Sequence, residues 1–172
     1  MAWINAFYKL PTNGYDRSVI QALESLQESC TTICYVSLSK PIRDVKSLLS
    51  DNPDISAQFI FIDASGMPVD GQQASDTIRV NDRLDSDDFF RSIQAVQSAV
   101  HPDGMFFDSL CDLSDAPDKE KVKRFIFSLI TLMREHHVRA LFACRKENNN
   151  ELLNQMAIAV DLVNELMETD GP

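Results

Sequence analysis

Short apolar runs alternate along this whole chain with segments whose apolar residues fall at helical spacing, and that alternation restricts the fold more than any other feature. Residues 3–10, 31–38 (TTICYVSL), 58–63 (QFIFID), 105–108 and 139–144 are short, β-branched or aromatic, and bounded by turn residues, which predicts strands. Between them, Val19, Ile20, Leu23 and Leu26 share one helical face, as do Ile42, Val45, Leu48 and Leu49. The same holds for Phe89, Phe90, Ile93, Val96 and Val100, and for Val122, Phe125, Ile126, Leu129, Ile130 and Met133. Pro41 suits the start of its helix, Asn52-Pro53 ends it, and Asp85 or Ser86 opens the next. Strands that alternate with helices pair in parallel through right-handed crossovers. The expected class is therefore α/β, a three-layer sandwich with a mainly parallel sheet. The unbroken apolar character of the strands at 3–10 and 105–108 places both inside that sheet. Residues 77–80 predict a further short strand, and 66–76 an irregular loop. Residues 152–160 fit a helix, while 160–166 fit a last strand equally well.

At 172 residues the chain is expected to form one domain, residues 1–172, with its own core. Nearly half its residues are apolar, yet no run approaches the ~20 needed to span a bilayer. Met1-Ala2-Trp3-Ile4-Asn5 lacks the basic and apolar regions of a signal peptide, so a cytoplasmic location is expected. The net charge of -10 repels phosphate backbones and anionic lipid, which argues against nucleic acid and membrane as partners. The cluster Lys119, Lys121, Lys123 and Arg124 alternates with acids and reads as a solvated helix face. Cys30, Cys34, Cys111 and Cys144 contain no C-x-x-C pair and read as small, buried, reduced thiols. No metal or cofactor is expected.

Two strands end in a carboxylate, at Asp63 and at Asp108. In an open α/β sheet ligands bind at that edge, and an apolar strand ending in Asp is similar to a Walker B element, whose acid holds a magnesium-bound water. Phe106-Phe107-Asp108-Ser109-Leu110 followed by Arg124-Phe125 and Leu129 resembles the corresponding strand, loop and helix of KaiC-like members of the RecA superfamily. Tyr35-Val36-Ser37-Leu38 resembles an earlier strand of those proteins, and the order of these segments agrees over roughly residues 3–166. The resemblance implies a RecA-like sheet, in which a further strand separates the first strand from the one ending in Asp108. It also makes self-association plausible, since relatives assemble through the sheet edge and the flanks of the nucleotide site.

Measured against that resemblance, the chemistry is missing. The first strand should run into G-x-x-x-x-G-K-[ST], whose amides and lysine cradle phosphates. Pro11 to Ser18 (PTNGYDRS) places Pro11 and Asp16 at the glycine positions and Arg17 at the lysine, and only Ser18 matches. Pro11 has no N–H to give. Asp16 would oppose a phosphate with a like charge, worth about 4 kcal/mol at ~4 Å and an effective dielectric near 20. Where relatives carry paired acids after Tyr-Val-Ser-Leu, this chain has Ser39 and Lys40, neither a fit general base. Asp16 is expected instead to cap its helix through the amides of Ser18 or Val19.

Three function classes follow. The first is a non-catalytic RecA/KaiC-like module for protein–protein contact, self-association or regulation. The second is a binder of nucleotide or another small anion, using Arg17, Ser18, Asp108 and Ser109. The third is an unrelated receiver-like or flavodoxin-like domain. Asp82, Asp85, Asp87 and Asp88 read as acids at a helix start, and His136-His137 as the favourable charge at a helix end.

Overall fold

A computed structural model describes residues 4–68, 74–80, 86–113, 116–146 and 151–167. The strands are β1 (Asn5–Leu10), β2 (Thr32–Ser37), β3 (Gln58–Asp63), β4 (Thr77–Arg79), β5 (Gly104–Asp108), β6 (Arg139–Arg145) and β7 (Leu162–Glu165). The helices are α1 (Tyr15–Gln27), α2 (Ile42–Ser50), α3 (Ser86–Val100), α4 (Lys119–Glu135) and α5 (Glu151–Ala159). A single 3-10 turn, Leu110–Leu113, follows β5.

The strands form one sheet in the order β4-β3-β2-β5-β6-β1-β7, and every pairing is parallel. Both β1 and β5 are interior, as their apolar sequences require. β6 lies between β1 and β5, the RecA-like arrangement that separates this fold from receiver-like and flavodoxin-like sheets. The ambiguous tail resolves into both alternatives in succession, α5 and then β7.

Alternation along the strands divides the core in two. On one face, Ala6, Tyr8 and Leu10 of β1, Ile33 and Tyr35 of β2 and Phe106 of β5 pack beneath α1 and α2. On the other, Phe7, Cys34, Val36, Met105, Phe107 and Phe142 pack beneath α3, α4 and α5. The molecule is thus a three-layer α/β sandwich, with the core on both sides of the sheet. Phe107 and Phe142 stack with ring centres 4.9 Å apart, tying β5 to β6.

Two local expectations are corrected. α1 is capped by Gly14, in the left-handed conformation at φ 70°, and no side chain caps its first amides. The Ser18 amide bonds the Gly14 carbonyl at 3.1 Å, so the first turn closes on backbone alone. Asp16 lies within that turn and ion-pairs with Lys40 instead. The second correction concerns the cysteines. Cys30 and Cys34 are free and buried, but Cys111 and Cys144 are joined as a disulfide across a Cα separation of 5.3 Å, within the range such a bond requires. Among the described residues no helix is long and apolar enough to cross a membrane.

Candidate functional site

The path from β1 to β2 crosses over β6 and β5, because those two strands stand between them in the sheet. α1 makes that crossing. Its first turn therefore stands at the carboxyl edge of the sheet, beside the end of β5.

Asp108 closes β5 on the α1 face, in line with Phe106, and is 1% exposed. Both of its carboxylate oxygens are engaged. The Tyr15 hydroxyl, from the first residue of α1, donates to Oδ1 at 2.6 Å. The Tyr35 hydroxyl, from β2, donates to Oδ2 at 2.5 Å. Tyr35 also packs against Phe106, ring centres 5.2 Å apart, which fixes the phenol from below. The backbone is joined here as well, for the Leu38 amide donates to the Asp108 carbonyl at 2.6 Å.

The electrostatics follow from burial. Burial raises the Asp108 carboxyl above its ordinary range, although the two phenols and the charge of Lys40 act in the opposite direction. Burial likewise pushes the Tyr15 and Tyr35 phenols well above their usual value, and the adjacent Asp108 charge pushes them further. The three buried groups form a closed knot at the sheet edge.

A second layer surrounds it. The Arg145 guanidinium, at the end of β6, lies 4.9 Å over the Tyr15 ring and 3.7 Å from Asp112 Oδ1. Lys40, after β2, reaches Asp16, and the Ser37 hydroxyl donates to the Lys40 carbonyl at 2.5 Å, holding that bend. Asp63 ends β3 in a local turn of its own, accepting from the Ser65 amide at 3.1 Å and the Ser65 hydroxyl at 2.6 Å.

The residues expected to meet a nucleotide are distributed unevenly. Ser18, Asp108 and Ser109 are buried, with Ser109 beside the Tyr15 phenol. Arg17 is exposed. The structure thus brings Asp108 and Ser109 to the first turn of α1, but through Tyr15. Sequence reasoning passed over Tyr15 and Tyr35 as ligands of Asp108. The available signal was two tyrosines, Tyr15 just after the first strand and Tyr35 within the second, in a chain with an apolar strand ending in an acid. Asp82 and Asp85 lie outside the described residues. His136 and His137 end α4, with His137 in the left-handed conformation at φ 54°. A shallow groove lined by Phe90, Gln94, Phe127, Thr131 and Leu132 opens between α3 and α4, on the face of the sheet away from Tyr15.

No family model matches the chain, and no curated protein matches it. Among solved structures it is similar to a KaiC-like protein from the hyperthermophilic archaeon Pyrococcus horikoshii. The TM-score is 0.66 at 14% identity, covering 98% of this chain and 75% of that one. At that identity the likeness speaks for the fold alone. With an all-parallel seven-stranded sheet in this order, the chain has a RecA/KaiC-like fold.

Proposed function

We propose that this protein is a non-catalytic RecA/KaiC-like module that works through protein contact, self-association or regulation. One observation carries the reading: the Asp108 carboxylate is 1% exposed and holds a phenol on each oxygen. A Walker B acid must offer an oxygen to a magnesium-bound water. Here that oxygen is already committed to a protein donor. The segment from Pro11 to Ser18 supports the same reading, since it carries no lysine and only one glycine, Gly14, which serves as the α1 cap. Asp16 stands in the first turn of α1, already ion-paired with Lys40. A scaffold of this kind retains its sheet and core without the site. Contact through the β7 side is favoured by exposed apolar side chains at Ile158, Leu162, Val163 and Met167.

The test is a thermal-shift series with ATP, ADP and GTP, each with and without magnesium, alongside a phosphate-release assay. A ligand at 100 times its Kd stabilises by about 2.7 kcal/mol, so binding would be plain. The expected outcome is no shift and no phosphate release. A shift without turnover, lost in Arg17→Ala, would replace this reading with a nucleotide or anion binder. Phosphate release abolished by Asp108→Asn would replace it with an ATPase.

A further inference from the structure

The disulfide and the Asp108 knot are neighbours in the chain and in space. Cys111 lies in the 3-10 turn three residues after Asp108, and Cys144 precedes Arg145 at the end of β6. The Arg145 amide donates to Cys111 Sγ at 2.9 Å. The Arg145 guanidinium covers the Tyr15 ring at 4.9 Å, and Tyr15 donates to Asp108 at 2.6 Å. These contacts close a ring: Asp108, the 3-10 turn, Cys111, Cys144, Arg145, Tyr15 and Asp108 again. The sheet separates its two sides, with Cys144 packed beneath α4 and Arg145 turned toward α1.

We propose that the Cys111–Cys144 pair is a redox-sensitive latch on the Tyr15–Asp108 contact, closed as the disulfide and loosened as two thiols. It rests on reading Asp108 as a closed site, and it adds what holds that site closed. In the closed state a covalent bond pins the 3-10 turn to the end of β6, so Arg145 is held in place over Tyr15. Opening needs two electrons and two protons, supplied by a dithiol, which becomes a disulfide as Cys111 and Cys144 become thiols. Closing is the reverse exchange with a small disulfide such as oxidised glutathione. One cysteine thiolate attacks it and releases one glutathione thiolate, and the second cysteine displaces the other. Both cysteines are buried, but Cys111 lies in a one-turn 3-10 segment, whose hydrogen bonds are weak, so local opening of that turn gives a dithiol access to the bond. Cys30 and Cys34 take no part. Each is buried in the α1-side or α4-side core, and burial raises both thiols above their ordinary range.

The experiment uses the full chain. After equilibration with oxidised glutathione, thiols are counted in denaturant. The expected count is two, from Cys30 and Cys34, rising to four after dithiothreitol. Hydrogen exchange is then followed by mass spectrometry in both states. Reduction is expected to speed exchange in residues 110–113 and also in the first turn of α1 around Ser18. Cys111→Ser/Cys144→Ser is expected to show the fast pattern and no response to dithiothreitol. Four thiols after oxidised glutathione would overturn the proposal. So would reduction that speeds exchange at 110–113 but leaves the first turn of α1 unchanged, for the bond would then be a staple without a link to Tyr15. The wild-type measurement stands even where the double variant fails to fold. A nucleotide-induced thermal shift seen only after reduction would overturn the non-catalytic reading and leave the latch standing.

Discussion

The Tyr35 hydroxyl reaches Asp108 Oδ2 from the neighbouring strand, 2.5 Å away and two residues off the direct β2–β5 register, in which Ser37 faces Asp108. The contact is diagonal, and it depends on a side chain as long as tyrosine. A hydrogen bond to a charged group contributes about 1.5–3 kcal/mol. Tyr35→Phe is therefore expected to lower stability by about 2 kcal/mol, measured by denaturant unfolding. Asp108→Ala should lower it more, because it leaves two buried phenols without their acceptor. A Tyr35→Phe variant as stable as wild type would show that the bond contributes nothing net.

The same knot predicts the response to alkali. An unfolded tyrosine loses its proton near pH 10, while Tyr15 and Tyr35 hold theirs well above that in the folded state. In that window the native state binds more protons than the unfolded state, so stability is full below about pH 10 and falls as pH rises through it. Tyr15→Phe/Tyr35→Phe lacks both titrations, and its melting temperature should fall less steeply above about pH 10. Parallel curves for variant and wild type would refute this.

Asp108 gives the corresponding acid-side expectation. Its carboxyl is raised by burial, so the stability it contributes is greatest below the unfolded value near pH 4 and is lost as pH climbs through the raised value. Asp108→Asn keeps an acceptor and gains a donor, without a charge to bury. Relative to wild type, the variant should gain melting temperature as pH rises above about 4 through the raised value. A difference that stays constant across that range would count against the raised carboxyl.

Gly104 opens β5 against Cys30, and a Cβ placed there would lie 2.9 Å from the Cys30 Sγ and 3.0 Å from its Cβ. The Cβ of Cys30 cannot swing aside as a side-chain tip can. Gly104→Ala should therefore destabilise by about 1–3 kcal/mol, the ordinary range for overpacking. Adding Cys30→Ala removes the sulfur contact and should recover part of the loss in denaturant midpoint.

α4 ends in a Schellman motif. The Val138 amide donates to the Met133 carbonyl and the His137 amide to that of Arg134, both at 3.1 Å, with His137 left-handed at φ 54°. Glycine is the favoured residue there. His137→Gly should raise stability by about 0.5–1 kcal/mol, or about 2 °C in melting temperature. A lowered melting temperature would mean that the imidazole contributes more than the backbone strain costs.

The layers were legible because they depend on periodicity, which local sequence carries. The apolar stripe of Val122 to Met133 is buried as its spacing requires, and the runs ending at Asp63 and Asp108 are parallel strands. The contents of the site were less so. Tyr15 and Asp108 are 93 residues apart in sequence and meet only because α1 crosses two strands. Asp16 satisfied every rule for a cap, but Gly14 took that position and Lys40, brought from the end of β2, took its charge. Cys111 and Cys144 have no diagnostic spacing, and their pairing needed the adjacency of β5 and β6.

The position of β1 also bears on the chain's emergence during synthesis. Its neighbours in the sheet are β6 and β7, both from the last quarter of the sequence. β2, β3, β4 and β5 can find one another once Asp108 has been made, but β1 cannot pair until Arg139 and beyond are free of the ribosome. β1 is made before the other strands of this sheet and is among the last to be zipped into place, with most of its side chains destined for burial. That delay lengthens the time an apolar strand stays uncovered, and it makes β6 the piece that joins β1 to the strands made before it.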